Sequence, residues 1–141
     1  MAETKGARMP GRCTLIEHDA DVPMRDGVIL RADMWRPDDE VPHPTIVFRT
    51  PYGKAGCLRL DTLSPADCAA AGNAAVVQDV RGRFSSVGEW RPLHWDHEGL
   101  DTVEWTAAQA WCDGNVGIAG TSYLTWDREA AGLRLRMGEL R

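Results

Sequence analysis

Ser122 lies near the end of the run Asn115-Val116-Gly117-Ile118-Ala119-Gly120-Thr121-Ser122-Tyr123-Leu124, an apolar stretch that ends in a glycine-bearing turn. A serine hydroxyl by itself attacks carbonyls poorly. A sharp turn between a strand and a helix lifts it above a sheet edge. There the backbone N–H of the following residue, Tyr123, can point at a developing oxyanion. Small neighbours let helix and strand approach closely, and Gly120 supplies one. Leu124 stands where the common G-x-S-x-G pattern has a second glycine. Taken alone, the pattern also fits a plain structural turn before a helix.

Tyr52 is the second chemical candidate, in Arg49-Thr50-Pro51-Tyr52-Gly53-Lys54. A phenol O–H is a good donor when a short rigid loop aims it, and it can serve an oxyanion as well as a backbone amide does. A tyrosine packed beneath a Pro-Gly turn fits the same residues.

These groups need a scaffold. Thr14–Val22 reads as a first strand, and Leu30, Ala32 and Met34 alternate with Arg31, Asp33 and Trp35 in a half-buried second one. Asp26-Gly27 between them predicts a hairpin with a type I′ turn. Thr45–Arg49 and Ala74–Gln78 read as buried strands. Between them, Ser64 predicts an N-cap, Pro65 a first helical residue and Gly72 a helix end. Asp79–Trp90 is a loop rich in glycine and arginine. Asp96–Trp111 predicts a helix with Leu100, Val103, Ala107 and Ala110 inward. A turn at Asp113-Gly114 and a buried strand at Asn115–Ala119 follow. The tail carries Trp126, Ala130, Leu133, Met137 and Leu140 on one helical face.

A chain of 141 residues, 43% hydrophobic and with six tryptophans, is expected to fold as one globular unit. Its net charge of −5, with no basic block, argues against nucleic-acid binding. No apolar run is long enough for a membrane span, and no signal peptide is seen, so a cytoplasmic protein is expected. Cys13, Cys57, Cys68 and Cys112 show no metal-ligand spacing and read as reduced thiols, with a Cys57–Cys68 disulfide as the minor alternative. No G-x-G-x-x-G or P-loop follows a strand, which excludes a nucleotide-binding module. No cofactor and no metal are expected.

Four separated stretches carry a resemblance. They are Val22-Pro23-Met24-Arg25-Asp26-Gly27; Arg49-Thr50-Pro51-Tyr52-Gly53-Lys54; Val77-Gln78-Asp79-Val80-Arg81-Gly82-Arg83 with Gly88-Glu89-Trp90; and Trp111-Cys112-Asp113-Gly114-Asn115-Val116-Gly117 running into Gly120-Thr121-Ser122-Tyr123-Leu124. In order and spacing the chain resembles the cocaine-esterase/X-prolyl-dipeptidyl-peptidase family of α/β-hydrolases from Thr14 to Leu124. That family's serine motif is G-x-S-Y-x-G, which accommodates Leu124. The resemblance implies hydrolysis of an ester or amide, from a small-molecule ester or a peptide, through an acyl-enzyme. It implies that Ser122 is the nucleophile and that the Tyr52 side chain and the Tyr123 backbone N–H form the oxyanion hole.

The pattern departs from the family at Thr125, where a glycine is expected, and Trp126-Asp127-Arg128-Glu129 no longer resembles the family's helix. A frameshifted or truncated product is one expectation. In α/β-hydrolases the triad runs Ser, Asp or Glu, then His along the chain. All four histidines, His18, His43, His94 and His97, precede Ser122 and read as solvated surface residues. The alternative function is therefore an inactive fragment with a structural role.

The expected architecture is a truncated α/β-hydrolase fold: an N-terminal β-hairpin, then a mostly parallel sheet with helices on both faces. Residues 1–13 are expected to be disordered, 14–124 to form the N-terminal part of the hydrolase domain, and 125–141 a divergent helical tail. The strand Asn115–Ala119 would be an unpaired edge, open to self-association.

Overall fold

The computed structural model describes residues 13–59, 64–91 and 97–119. The hairpin strands are β1 (Thr14–Pro23) and β2 (Ile29–Pro37), paired antiparallel with Val22 opposite Leu30. The turn between them is not type I′. Gly27 has φ 84°, while Asp26 is not among the residues of positive φ. The Gly27 N–H donates to Met24 O at 2.9 Å and the Met24 N–H to Val28 O at 2.8 Å. This is a four-residue turn closed by a glycine in the left-handed region, the form that a longer hairpin loop takes. The Asp26 carboxylate accepts the Val28 N–H at 3.1 Å across the turn.

Three further strands complete the sheet: β3 (His43–Thr50), β4 (Ala74–Asp79) and β5 (Cys112–Ile118). The order is β1-β2-β4-β3-β5. β2 and β4 run antiparallel, whereas β4 with β3 and β3 with β5 are parallel. β4 is buried along its whole length, which explains its unbroken Ala-Ala-Val-Val run.

Helices cover both faces. Helix α1 (Pro65–Ala70) starts as expected: Ser64 Oγ accepts the Asp67 N–H at 3.1 Å and Pro65 opens the first turn. It ends in a Schellman motif at Gly72, φ 91°, with the Asn73 N–H on Cys68 O at 2.9 Å. Cys68 packs there with Phe48, Ala75 and Val77. Helix α2 (Glu98–Ala107) lies on the other face, where Val103 joins Leu30, Ala32, Met34, Val47 and Val76. Successive residues such as Val47 and Phe48 serve opposite layers, because strand side chains alternate. Each fully buried side chain of this kind contributes about 1.5–3 kcal/mol.

Four further expectations are corrected. Helix α2 is shorter than Asp96–Trp111, and its buried residues are Gly99, Asp101, Thr102, Val103 and Thr106; Leu100 and Ala107 are half-buried and Ala110 is exposed. In this polar stripe Thr102 stands opposite Gln78. Asp113-Gly114 is no turn between elements but part of β5. His43 pairs with Cys112 and Thr45 with Val116, so Asp113, Gly114 and Asn115 bulge opposite Pro44, which has no N–H to pair. His43 is not solvated: it begins β3 at 8% exposure, its Nε2 2.7 Å from Asp39 Oδ1. Cys68 is a free thiol, so the Cys57–Cys68 alternative falls, and Cys13 and Cys112 are free as well. Of the expected disordered segment 1–13, residues 1–12 lie outside the described residues, as do the helical tail 125–141 and His94, whereas Cys13 is described and its carbonyl accepts the Asp38 N–H at 2.8 Å.

Candidate active site

β3 and β5 are parallel neighbours, with Val47 opposite Ile118, and the Ala119 N–H donates to Val47 O at 3.1 Å. The chain therefore leaves both strands at the same edge of the sheet. From β3 it enters the loop of Tyr52. From β5 it enters Gly120-Thr121-Ser122-Tyr123, which lie outside the described residues. In open α/β sheets this C-terminal edge is where ligands bind.

The Tyr52 loop is held on three sides. Its own N–H donates to Thr50 Oγ1 at 3.0 Å. Pro51 O accepts Arg83 Nε at 3.0 Å, and Thr50 O accepts the Val80 N–H at 3.1 Å. The Asp79 carboxylate, on a residue only 1% exposed, takes the Lys54 N–H at 2.7 Å on one oxygen. Its other oxygen takes the Ser85 N–H at 3.2 Å and the Ser85 hydroxyl at 2.5 Å. Tyr52 itself remains 63% exposed and lines a shallow cavity of about 220 Å³ with Gly53, Lys54, Phe84 and Ser85.

Lys54 reaches the opposite way. Its Nζ lies 2.8 Å from Asp19 Oδ1 and 3.1 Å from Asp33 Oδ1. Burial pulls the ammonium pKa down, but its hydrogen bonds to the Asp19 and Asp33 carboxylates outweigh it and leave the pKa raised. The hydrogen bond from Lys54 holds the Asp19 carboxyl below its ordinary value. Asp19 has φ 54° at the bulge in β1, so a left-handed residue there serves the ion pair. His18 Nδ1 is 3.1 Å from Asp33 Oδ2 with its ring mostly exposed.

A second polar cluster lies under α2. Arg49, 2% exposed, donates from Nε to Gln78 Oε1 at 2.7 Å and pairs with Glu98 at 3.1 Å. Glu98 also binds Arg81, which reaches Asp26 at 2.9 Å. The Thr102 hydroxyl lies 2.9 Å from Gln78 Oε1 and 2.8 Å from Glu98 O. Arg25 grips both oxygens of Asp101, at 2.6 Å through its NH2 group. The cluster ties the hairpin turn to α2 and to the ends of β3 and β4. A cavity of about 340 Å³ opens beside it among Arg25, Arg81, His97 and Glu98.

Of the residues singled out by sequence, the described structure places Tyr52 and leaves Ser122 and Tyr123 outside it. Sequence reasoning missed Asp33, Asp79, Gln78 and Arg49 as the groups that hold the edge together. A signal existed for Asp33: a carboxylate inside a strand pattern needs a cation, and Lys54 ends the Tyr52 motif. Among the described residues no set of three or more His, Cys, Asp or Glu could hold a metal, and no helix is long and apolar enough to cross a membrane.

Residues 26–132 match the family described as X-Pro dipeptidyl-peptidase (S15 family). The chain is 44% identical to the cocaine esterase of Rhodococcus sp. (strain MB1 Bresler), over 79% of this chain and 21% of the relative. Among solved structures it resembles a CocE/NonD family hydrolase from Staphylococcus aureus, with TM-score 0.72 and 26% identity over 84% of this chain and 25% of that one. An α-amino acid ester hydrolase aligns with TM-score 0.71 and 28% identity over 92% of this chain and 25% of that one. The chain thus spans about a fifth of the curated relative and a quarter of the solved chains. Its mixed sheet covered on both faces matches part of an α/β-hydrolase fold, and the chain belongs to the X-Pro dipeptidyl-peptidase (S15) family of hydrolases.

Proposed function

We propose that the chain carries the nucleophile and the oxyanion hole of a serine hydrolase acting on small esters or peptides. Ser122 Oγ attacks the carbonyl carbon, and the alcohol or amine leaves with a proton. Water then cleaves the acyl-enzyme. The Tyr52 hydroxyl and the Tyr123 N–H take the charge on the carbonyl oxygen. The observation that supports this reading is the parallel pairing of β3 with β5, by which Thr50, before the Tyr52 loop, and Ile118, before the serine motif, end their strands at one edge.

A specific observation favours a second reading for the 141-residue polypeptide by itself. All four histidines precede Ser122, so these residues supply no base in the fold's usual order. Losing a triad member costs several powers of ten in rate, on the order of 10⁴ or more. In this reading the polypeptide alone is inactive. Fluorophosphonate labelling separates the two. A covalent adduct that Ser122→Ala abolishes establishes the first, and a folded chain that takes no label establishes the second. We also place the protein in the cytoplasm, a reading supported by the free thiols Cys13, Cys68 and Cys112.

A further inference from the structure

Phe84 combines three features that are costly together. It is a non-glycine residue at φ 49°, in the left-handed region that bulky side chains avoid. Its ring is 67% exposed. It nevertheless sits in a loop fastened on both sides, with Arg83 on Pro51 O and Ser85 on the Asp79 carboxylate. Strain that the surroundings enforce, at an exposed aromatic side chain, points to use by a ligand.

The ring is also aimed. A Cβ built on Gly53, the residue after Tyr52, would meet Phe84 Cε1 and Cζ at 3.2 Å. The ring therefore lies against the backbone of the Tyr52 loop, so close that a side chain at position 53 would require the ring to shift by a few tenths of an ångström. The Arg83 guanidinium stands 5.3 Å from the Phe84 ring centroid and 5.4 Å from that of Trp90, within cation–π range of both. Together Phe84, Tyr52 and Gly53 line the cavity of about 220 Å³.

We propose that Phe84 is the apolar wall of a subsite beside Tyr52 that receives a flat apolar group of the ester or amide substrate. This assignment rests on the reading of Tyr52 as an oxyanion donor and makes Phe84 a specificity-determining residue. A planar group laid on the exposed ring removes apolar surface of both from water and stacks at aromatic spacing. A short aliphatic group covers little of the ring and gains correspondingly less.

The test uses the 141-residue chain with ¹⁵N labelling, phenylacetate as the probe and acetate as the control. Phenylacetate shifts the amide resonances of Gly53, Phe84 and Ser85, and acetate leaves them in place. Phe84→Ala reduces the Gly53 shift severalfold at equal probe concentration, and Phe84→Tyr retains it. Tryptophan emission reports that each variant is folded; should Phe84→Ala unfold, the comparison of phenylacetate with acetate on the unmodified chain decides. Absence of these shifts in the unmodified chain, or equal shifts in folded Phe84→Ala, overturns the subsite. Fluorophosphonate labelling of the same sample keeps the two readings apart. Labelling of Ser122 without phenylacetate shifts overturns the subsite alone. Shifts without labelling support the subsite and count against hydrolysis by this polypeptide.

Discussion

The Asp79 carboxylate accepts the Lys54 amide at 2.7 Å, so the loop that carries Tyr52 is fastened to β4 rather than only to β3, the strand it leaves. The same carboxylate holds Ser85, next to Phe84. One buried acid thus sets the spacing of the two loops that line the cavity beside Tyr52.

Asp79→Ala is expected to cost about 2–3 kcal/mol, because it leaves two amides and a hydroxyl without their acceptor in a buried place. Asp79→Asn keeps one acceptor and is expected to cost less. Urea denaturation of both variants reads the difference, and equal stability of Asp79→Ala and the unmodified chain would contradict the clamp.

Gly82 and Gly27 both have positive φ, at 69° and 84°, yet their replacement by alanine is expected to differ. At Gly82 a Cβ would meet Trp90 N at 2.3 Å, a backbone atom, whereas at Gly27 nothing lies within 4 Å. Gly27→Ala carries only the left-handed penalty of about 1–2 kcal/mol. Gly82→Ala adds displacement of the loop, for a loss of about 3 kcal/mol or more. Thermal midpoints in the order unmodified, Gly27→Ala, Gly82→Ala are the expected result.

Acid stability should depend on Arg25. Burial by itself raises the Asp101 pKa, but the Arg25 hydrogen bonds outweigh it and leave that carboxyl lowered. An aspartate with a depressed folded pKa adds stability above its unfolded value of about 3.9, and this is lost as pH falls through the folded pKa. In Arg25→Met, burial acts unopposed by that partner, so the loss begins at higher pH. Removing the pair is expected to lower stability near neutrality, by an amount kept small by solvent screening because Arg25 is half exposed. Urea midpoints measured from pH 3 to pH 7 on both chains give the two profiles, and superimposable profiles would exclude the linkage.

β5 ends the described sheet, with Asp113, Gly114, Asn115 and Gly117 exposed along it. Among the described residues no strand pairs with the outer side of β5, and an edge of that kind can accept a strand from another chain. We propose that the 141-residue chain self-associates through this edge. Light scattering is expected to show mass rising with concentration, and Gly117→Lys to reduce it by placing a charge on the edge. A monomer of unchanged mass across the concentration range would rule this out.

The strands were readable where the chain alternates or runs apolar. Leu30, Ala32 and Met34 are buried in β2 as their spacing implies, and Ser64-Pro65 opens α1 by local cap chemistry. Local rules failed where a distant group intervened. The inner face of α2 carries Thr102 opposite Gln78, more than twenty positions earlier, whereas the buried Thr106 hydroxyl is satisfied within the helix by Thr102 O. Asp113-Gly114 looks like a turn between elements and is a bulge within β5, because Pro44 on the neighbouring strand cannot pair. His43 reads as a surface histidine from its proline neighbours and is buried by the start of β3.

The primary structure determined which segments are strands, where helix α1 starts, and that Tyr52 and Ser122 each follow a strand. Those properties depend on neighbours within a few residues, which the chain displays directly. Only the tertiary structure decided that β4 enters between β2 and β3, and therefore that Asp79 reaches Lys54, that Asp33 meets the Lys54 ammonium, and that Arg25 finds Asp101. Such pairs join positions far apart in the chain, and their geometry exists only once the order of strands brings the two ends together.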